Sequence, residues 1–273
     1  MPKLKMKASV IMSTYNAEEW LEKVIWGFSV QTESDFEIVI ADDGSGPKTK
    51  DLIERLRTEV KMPLVHVWQE DNGFQKTQIL NKAIVAASSD YLIFTDGDCI
   101  PHEDFVATHL KKKQLGFFLS GGYFKLPMDI SKAITQQDII AQKCFNASWL
   151  KKKGLKSGTL KLTAKGFAES LLNFITPTKA TWNGHNASAH KSDILAVNGF
   201  NQEMQYGGED REMGERLFNK GLRSKQIRYS AICVHLDHAR GYVDPEMWKK
   251  NNDIREYTKR NKVIRTTNGI EAN

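Results

Sequence analysis

Asp96-Gly97-Asp98 is the sharpest chemical signal in the chain, with two carboxylates one residue apart directly after the apolar run Tyr91–Thr95. Carboxylate oxygens suit a hard divalent cation, and such a pair leaves coordination positions open for the oxygens of a diphosphate. Acidic pairs also decorate solvated turns, so the placement after a strand carries the argument. Asp42-Asp43-Gly44-Ser45 repeats that placement after Phe36–Ala41. A carboxylate there accepts from the imide N–H of uracil or from ribose hydroxyls. A turn with Asx-type bonds and a glycine at positive φ accounts for the same residues.

Two later clusters add to these. In Gly207-Gly208-Glu209-Asp210 the glycines let the backbone approach a ligand, and the acids open a helix whose dipole favours them. One such carboxylate can take a proton from an attacking hydroxyl; a capped helix with acids in its first turn is the plainer account. His235-Leu236-Asp237-His238 ends a late strand, and an imidazole can complete a manganese site otherwise made of oxygens. Three distant cysteines and the lack of a second cluster argue against structural zinc. Between Asp138 and Glu169 stand seven lysines (Lys143, Lys151, Lys152, Lys153, Lys156, Lys161 and Lys165) and no acid. That block fits an anionic partner, or a solvated loop.

The elements that must position these residues alternate through the first hundred positions. Strands are expected at Ala8–Ser13, Phe36–Ala41, Leu64–Gln69 and Tyr91–Thr95. Helices are expected after Asn16 (which, with Glu19, reads as a cap), at Lys48–Glu59 and at Thr77–Ala87. Such alternation implies an α/β fold with a mostly parallel sheet, in which ligands bind beyond the carboxyl ends of the strands. Thr14–Asn16, Asp42–Ser45, Asn72-Gly73 and Asp96–Asp98 all follow strands, so they converge on one edge. The second half is less regular. It predicts a helix over Ser131–Leu150, another near Ala164–Phe174, a strand at Ala187–His190, a helix at Glu209–Lys220 ended by Gly221, and a strand over Arg228–His235.

The 273 residues, 40% hydrophobic, suffice for one large core without disulfides, and the odd count of three cysteines points to a reducing compartment. The basic start shows no cleavage pattern, and no stretch approaches the roughly 20 apolar residues of a membrane span. A soluble cytoplasmic protein is expected, or one at the inner face of a membrane. The aromatics are not interleaved with the lysine block, which argues against nucleic acid.

The ordered motifs Ser9–Asn16, Asp42–Ser45 and Asp96–Asp98 resemble the inverting glycosyltransferases of family two, with the GT-A fold. Gly184-His185-Asn186-Ala187, Gly199-Phe200, Gly207–Asp210 and Gly221-Leu222 are similar to the acceptor half of β-1,4-galactosyltransferases and chondroitin polymerases. The resemblance implies a Rossmann-like nucleotide-sugar half at residues 1–126, an acceptor half at 127–240 and a charged tail at 241–273. It implies Thr14 and Tyr15 at the base, Asp43 on the uracil edge with Asp42 nearby, and Asp96 at the ribose or metal shell. Asp98 and His235, or His238 after a slip of three, would ligate manganese or magnesium. Asp210 would be the catalytic base, with Glu209 and Tyr206 at the acceptor. No Gln-x-x-Arg-Trp motif follows, so a single addition from a UDP-sugar to a glycan or lipid-linked acceptor is expected, in cell-surface polysaccharide or lipopolysaccharide assembly. A nucleotidyltransferase would carry a Gly-rich phosphate loop where Thr14-Tyr15-Asn16-Ala17 stands, and a mere glycan-binding module needs no base.

Overall fold

A computed structural model describes residues 6–156, 158–239 and 244–271. The first part of the basic start (1–5) and the opening of the charged tail (241–243) lie outside the described residues. The strands are β1 (Ala8–Thr14), β2 (Phe36–Asp42), β3 (Leu64–Trp68), β4 (Tyr91–Asp96), β5 (Cys99–Pro101), β6 (Phe117–Ser120), β7 (Phe124–Lys125), β8 (Ala187–His190), β9 (Arg223–Gln226) and β10 (Cys233–His235). The helices are α1 (Glu18–Ser29), α2 (Pro47–Glu59), α3 (Lys76–Ala86), α4 (Phe105–Lys112), α5 (Met128–Ala133), α6 (Gln136–Ile140), α7 (Ala147–Lys152), α8 (Leu160–Thr163), α9 (Phe167–Ile175), α10 (Lys191–Ala196), α11 (Glu209–Asn219) and α12 (Pro245–Arg260), with a 3₁₀ turn at Lys143–Phe145.

Seven strands form one sheet in the order β3-β2-β1-β4-β8-β6-β9, parallel from β3 to β4 and antiparallel where β8 enters. β1 and β2 are apolar on both faces because the sheet is covered on both. Val10, Met12, Ile38 and Ile40 join the core under α1 and α2, while Ile11, Val39 and Ala41 join the core under α3, α10 and α11. β1 pairs with β2 on one side and β4 on the other, so the order reverses there, and the crevice above that reversal is where such sheets bind ligands. A second sheet, β5-β10-β7, follows Asp98 directly and brings the end of β10 beside it.

Three local readings need correction. Asn16 does not cap α1. It adopts φ 44°, its side-chain oxygen accepts from the Gly46 N–H at 2.9 Å, and its own N–H donates to Ser45 Oγ at 2.8 Å. It therefore ties the first loop to the second. The helix expected over Ser131–Leu150 is broken into α5, α6, the 3₁₀ turn and α7. Thr135 forms a capping box with Asp138, Gln142 turns left-handed at φ 55°, and Asn146 caps α7. The strand expected over Arg228–His235 is confined to β10 at its end, because 228–231 form a turn that follows β9 of the other sheet. Gly221 does end α11, at φ 99°, with the Leu222 N–H returning to the Leu217 carbonyl. All three cysteines are free and buried.

The tail is structural. Thr258 of α12 donates to Glu212 Oε1 at 2.9 Å, and Glu212 pairs with the fully buried Arg216, whose guanidinium also donates to the carbonyls of Val197 and Gly199. Arg216→Met leaves a carboxylate and two carbonyls buried without their donor, a loss of about 3–5 kcal/mol. Urea unfolding should show that drop at unchanged slope; a loss under about 1 kcal/mol contradicts the pairing.

Candidate active site

The strand-end loops close on one cavity of about 910 Å³. At the end of β4, Asp96 Oδ1 accepts from Ser13 Oγ at 2.8 Å, and the Gly97 N–H donates to the Ser13 carbonyl at 2.8 Å. A Cβ on Gly97 would stand 2.8 Å from that carbonyl oxygen, so glycine lets the loop lie against β1. The loop after β2 is less symmetric than its two acids suggest. Asp43 lines the cavity, held by Gln69 Nε2 at 2.6 Å and the Gln75 N–H at 2.9 Å, with burial pushing its carboxyl up. Asp42 does not line it. Its oxygens accept from the Ser45 N–H and bond His66 Nε2, both at 2.8 Å, so it shapes the turn. Thr14 and Tyr15 line the cavity; Thr14 Oγ1 is buried without a partner, and Tyr15 bonds Asp71 at 2.9 Å.

A residue given no role on sequence grounds, Lys76, dominates the electrostatics. Lys76 opens α3, three residues after Gly73, and its Nζ lies 2.9 Å from Asp96 Oδ1. Burial works against its charge, but Asp96, Asp210 and Glu209 outweigh it and hold the ammonium protonated. Burial likewise opposes the charge of Asp96, yet Lys76 keeps its carboxyl well below the usual range. His185 stands half-buried at the cavity, and desolvation lowers it to about 4, so it stays neutral. Its ring meets Tyr123 at 4.7 Å, and Tyr123 meets His235 at 4.9 Å.

Asp210 lines the opposite wall from the first turn of α11. A Cβ on Gly184 would lie 2.7 Å from its Oδ2, so glycine admits the carboxylate at that wall. Asp210 Oδ1 is buried with no partner, and burial together with Glu209 raises its carboxyl to about 7 despite Lys76. Glu209 Oε2 accepts from the Gly207 N–H at 2.8 Å. Gly207 and Gly208 take φ 109° and 87°, and a Cβ on Gly207 would meet the Trp248 ring of α12 at 2.7 Å. The pair is thus explained by a left-handed turn pressed against α12. Tyr206 packs its ring on Phe74 and Trp248, also at the cavity.

Asp98, His235 and His238 offer ligand atoms within 4.8 Å of one another. Asp98 Oδ2 is 3.0 Å from His238 Nε2 and 3.5 Å from His235 Nε2, and the two rings stack at 5.5 Å. His235 reaches Asp98 because β10 pairs antiparallel with β5, setting His235 opposite Cys99. His238 lies beyond the strand end and folds back to the same carboxylate. One carboxylate and two imidazoles, with His235 Nδ1 buried and unpartnered, are a donor set that fits manganese or a similar divalent cation.

Comparison with known proteins now bears on the cavity. Residues 9–124 match the family described as glycosyl transferase family 2, and residues 173–239 match the N-terminal domain of galactosyltransferase. The first of these matches takes in the four parallel strands and the loops that end them, and the second takes in α11 and β10. It is 26% identical over 92% of its length to the uncharacterized glycosyltransferase YfnE of Bacillus subtilis, of which it spans 68%. It is 26% identical over 78% of its length to validoxylamine A glucosyltransferase of Streptomyces hygroscopicus subsp. limoneus, of which it spans about half (48%). Among solved structures it resembles a mannosyltransferase of Pyrobaculum calidifontis in complex with GDP-Man and Mn²⁺ (TM-score 0.59, 18% identity, 94% of this chain and 70% of that one). It also resembles S. aureus TarS in complex with UDP-GlcNAc (TM-score 0.63, 16% identity, 95% and 70%). These likenesses establish the GT-A fold.

A carboxyl raised from 3.8 to about 7 binds its proton in the folded state before the unfolded chain does. Its favourable contribution is whole below the unfolded value and is lost as pH rises to about 7. Asp210→Asn removes that titration, so the thermal midpoint of the variant should gain on the parent between about pH 4 and pH 7 and then run level. Parallel curves across that window contradict the raised value.

Proposed function

We propose that this chain transfers a single sugar from a nucleoside diphosphate sugar, a UDP-sugar, to an acceptor hydroxyl of a glycan or lipid-linked glycan, with inversion. The observation that carries the reading is Asp210. Its Oδ1 is buried without a partner and its carboxyl is raised to about 7, in the same cavity as a half-buried Lys76 and a strand-end Asp96-Gly97-Asp98. A group titrating near the working pH is what general-base catalysis needs.

In this reading residues 1–126 hold the nucleotide. Thr14 and Tyr15 lie against the base, and Asp43, its position fixed by Gln69 and the Gln75 N–H, accepts from the uracil imide. Asp96, kept ionised by Lys76, meets the ribose. Asp98, His235 and His238 would hold manganese or magnesium, which when bound offsets the charge on the departing diphosphate. Residues 127–240 receive the acceptor, with Tyr206 stacking beside it and Glu209 orienting its hydroxyl. Asp210 then takes the hydroxyl proton as the oxygen attacks the anomeric carbon opposite the diphosphate, through an oxocarbenium-like state. Neutral His185 and the ring of Tyr123 line the cavity beside the donor phosphates and limit water there. In this reading the acceptor belongs to cell-surface polysaccharide or lipopolysaccharide assembly and is met on the cytoplasmic side.

A screen for nucleoside diphosphate release from UDP- and GDP-sugars with manganese tests the donor class; release from GDP-sugars alone would overturn the uracil assignment. On the active donor, Asp210→Asn should lower kcat by about 10²–10⁴-fold with donor affinity unchanged. The parent kcat should fall as pH drops below about 7, where Asp210 takes up its proton. A variant within a few-fold of the parent moves the base elsewhere. Asp98→Ala should abolish the manganese-dependent part of UDP affinity in calorimetry, and an unchanged affinity removes Asp98 from the site.

A further inference from the structure

α9 is turned the opposite way from an ordinary surface helix. An amphipathic helix normally buries its apolar stripe and wets its polar one. In α9 the polar side is the anchored side. Glu169 pairs with Lys112 Nζ at 3.3 Å and accepts from Ser230 Oγ. Asn173, one turn on, donates to Ser230 Oγ at 2.8 Å and accepts from the Tyr229 N–H at 2.9 Å. These bonds fix the rotation of the helix. The apolar stripe then faces outward: Phe167 is 83% exposed, Leu171 44%, Phe174 87% and Ile175 57%. Their spacing of four, seven and eight residues puts them on one face.

The surroundings of the stripe are basic. The segment from Ile139 to Ala168 carries seven lysines and no acid, and Lys165 and Lys179, which flank α9, are exposed. Arg228 donates to Thr178 Oγ1 at 3.0 Å just past the helix end. An apolar face rimmed by cations matches hydrocarbon under anionic headgroups. A second copy of the chain matches it less well, since a symmetric contact brings each lysine cluster against its own twin.

We infer that α9 is a membrane-docking helix that lies in the interface of an anionic bilayer, with Phe167, Leu171, Phe174 and Ile175 among the acyl chains and the flanking cations against phosphate. Among the described residues no helix is long and apolar enough to cross a membrane, so the contact is with the surface. The same segment is tied to the cavity. Lys161 of α8 donates to the Tyr123 carbonyl at 2.8 Å, and Tyr123 lines the cavity wall. The inference stands apart from the transfer reaction and is tested without it.

The full chain is sedimented with vesicles of phosphatidylcholine alone and with about one third phosphatidylglycerol, at low and high salt. Binding is expected to the anionic vesicles only and to weaken with salt. Phe167→Ser with Phe174→Ser should lower partitioning about 100-fold. Neither ring is buried, so the thermal midpoint should hold. Lys165→Gln with Lys179→Gln should lower it about 10-fold and flatten the salt dependence. Absence of binding to both vesicles, equal binding to both, or a phenylalanine double variant that partitions like its parent overturns the inference. So does a parent dimer that this variant makes monomeric while vesicle binding is unchanged.

Discussion

The ammonium of Lys76 allows this cavity to exist in its observed form. Asp96 from one side and Glu209 and Asp210 from the other are drawn to a single cavity, where like charges resist being ionised together. Lys76 divides them. It stands in direct contact with Asp96 and fixes that carboxylate as an anion. Asp210 feels Lys76 more weakly and is left near neutrality by its burial and by Glu209. Chemically similar side chains acquire different roles from their distance to one cation, the separation of pKa values that marks acid–base sites.

The fold delivers that arrangement in two ways. The parallel half supplies it through strand ends: β1, β2 and β4 stop in register, so Thr14, Asp43 and Asp96 meet at one edge. The second half has no comparable regularity and relies on props. α11 carries Asp210 and is locked by Arg216 and Glu212, while α12 presses Trp248 onto Gly207 and bonds Gly207's carbonyl through Asn251 at 2.9 Å. The β5–β10 pairing performs the same service for Asp98 and His235. Position at the far wall is therefore set by contacts between segments distant in sequence.

That difference governs what the sequence could disclose. The α/β alternation and the strand-end motifs were legible because strand periodicity and turn residues are local signals. Lys76 was not, since nothing near it marks it; its partner lies 20 residues on. His185 was legible only as part of a resemblance. Asp42 and Asp43 look alike in the sequence, and the left-handed Gly44 together with the Ser45 N–H decides which of them faces the cavity. The break-up of the helix expected over Ser131–Leu150 was in principle readable, because Thr135 and Asn146 are ordinary cap residues. The resemblance posed His235 and His238 as alternatives, but β10 ends at His235, and the chain folds His238 back to Asp98, so both stand beside it.

The central claim is that one base, Asp210, drives a direct displacement at the anomeric carbon. The most direct test is the configuration of the product formed from an α-linked UDP-sugar, read from the anomeric coupling in a proton NMR spectrum recorded before mutarotation or further reaction. A β-linked product is predicted. An α-linked product would contradict the account, because retention cannot arise from a single attack assisted by a base on one face.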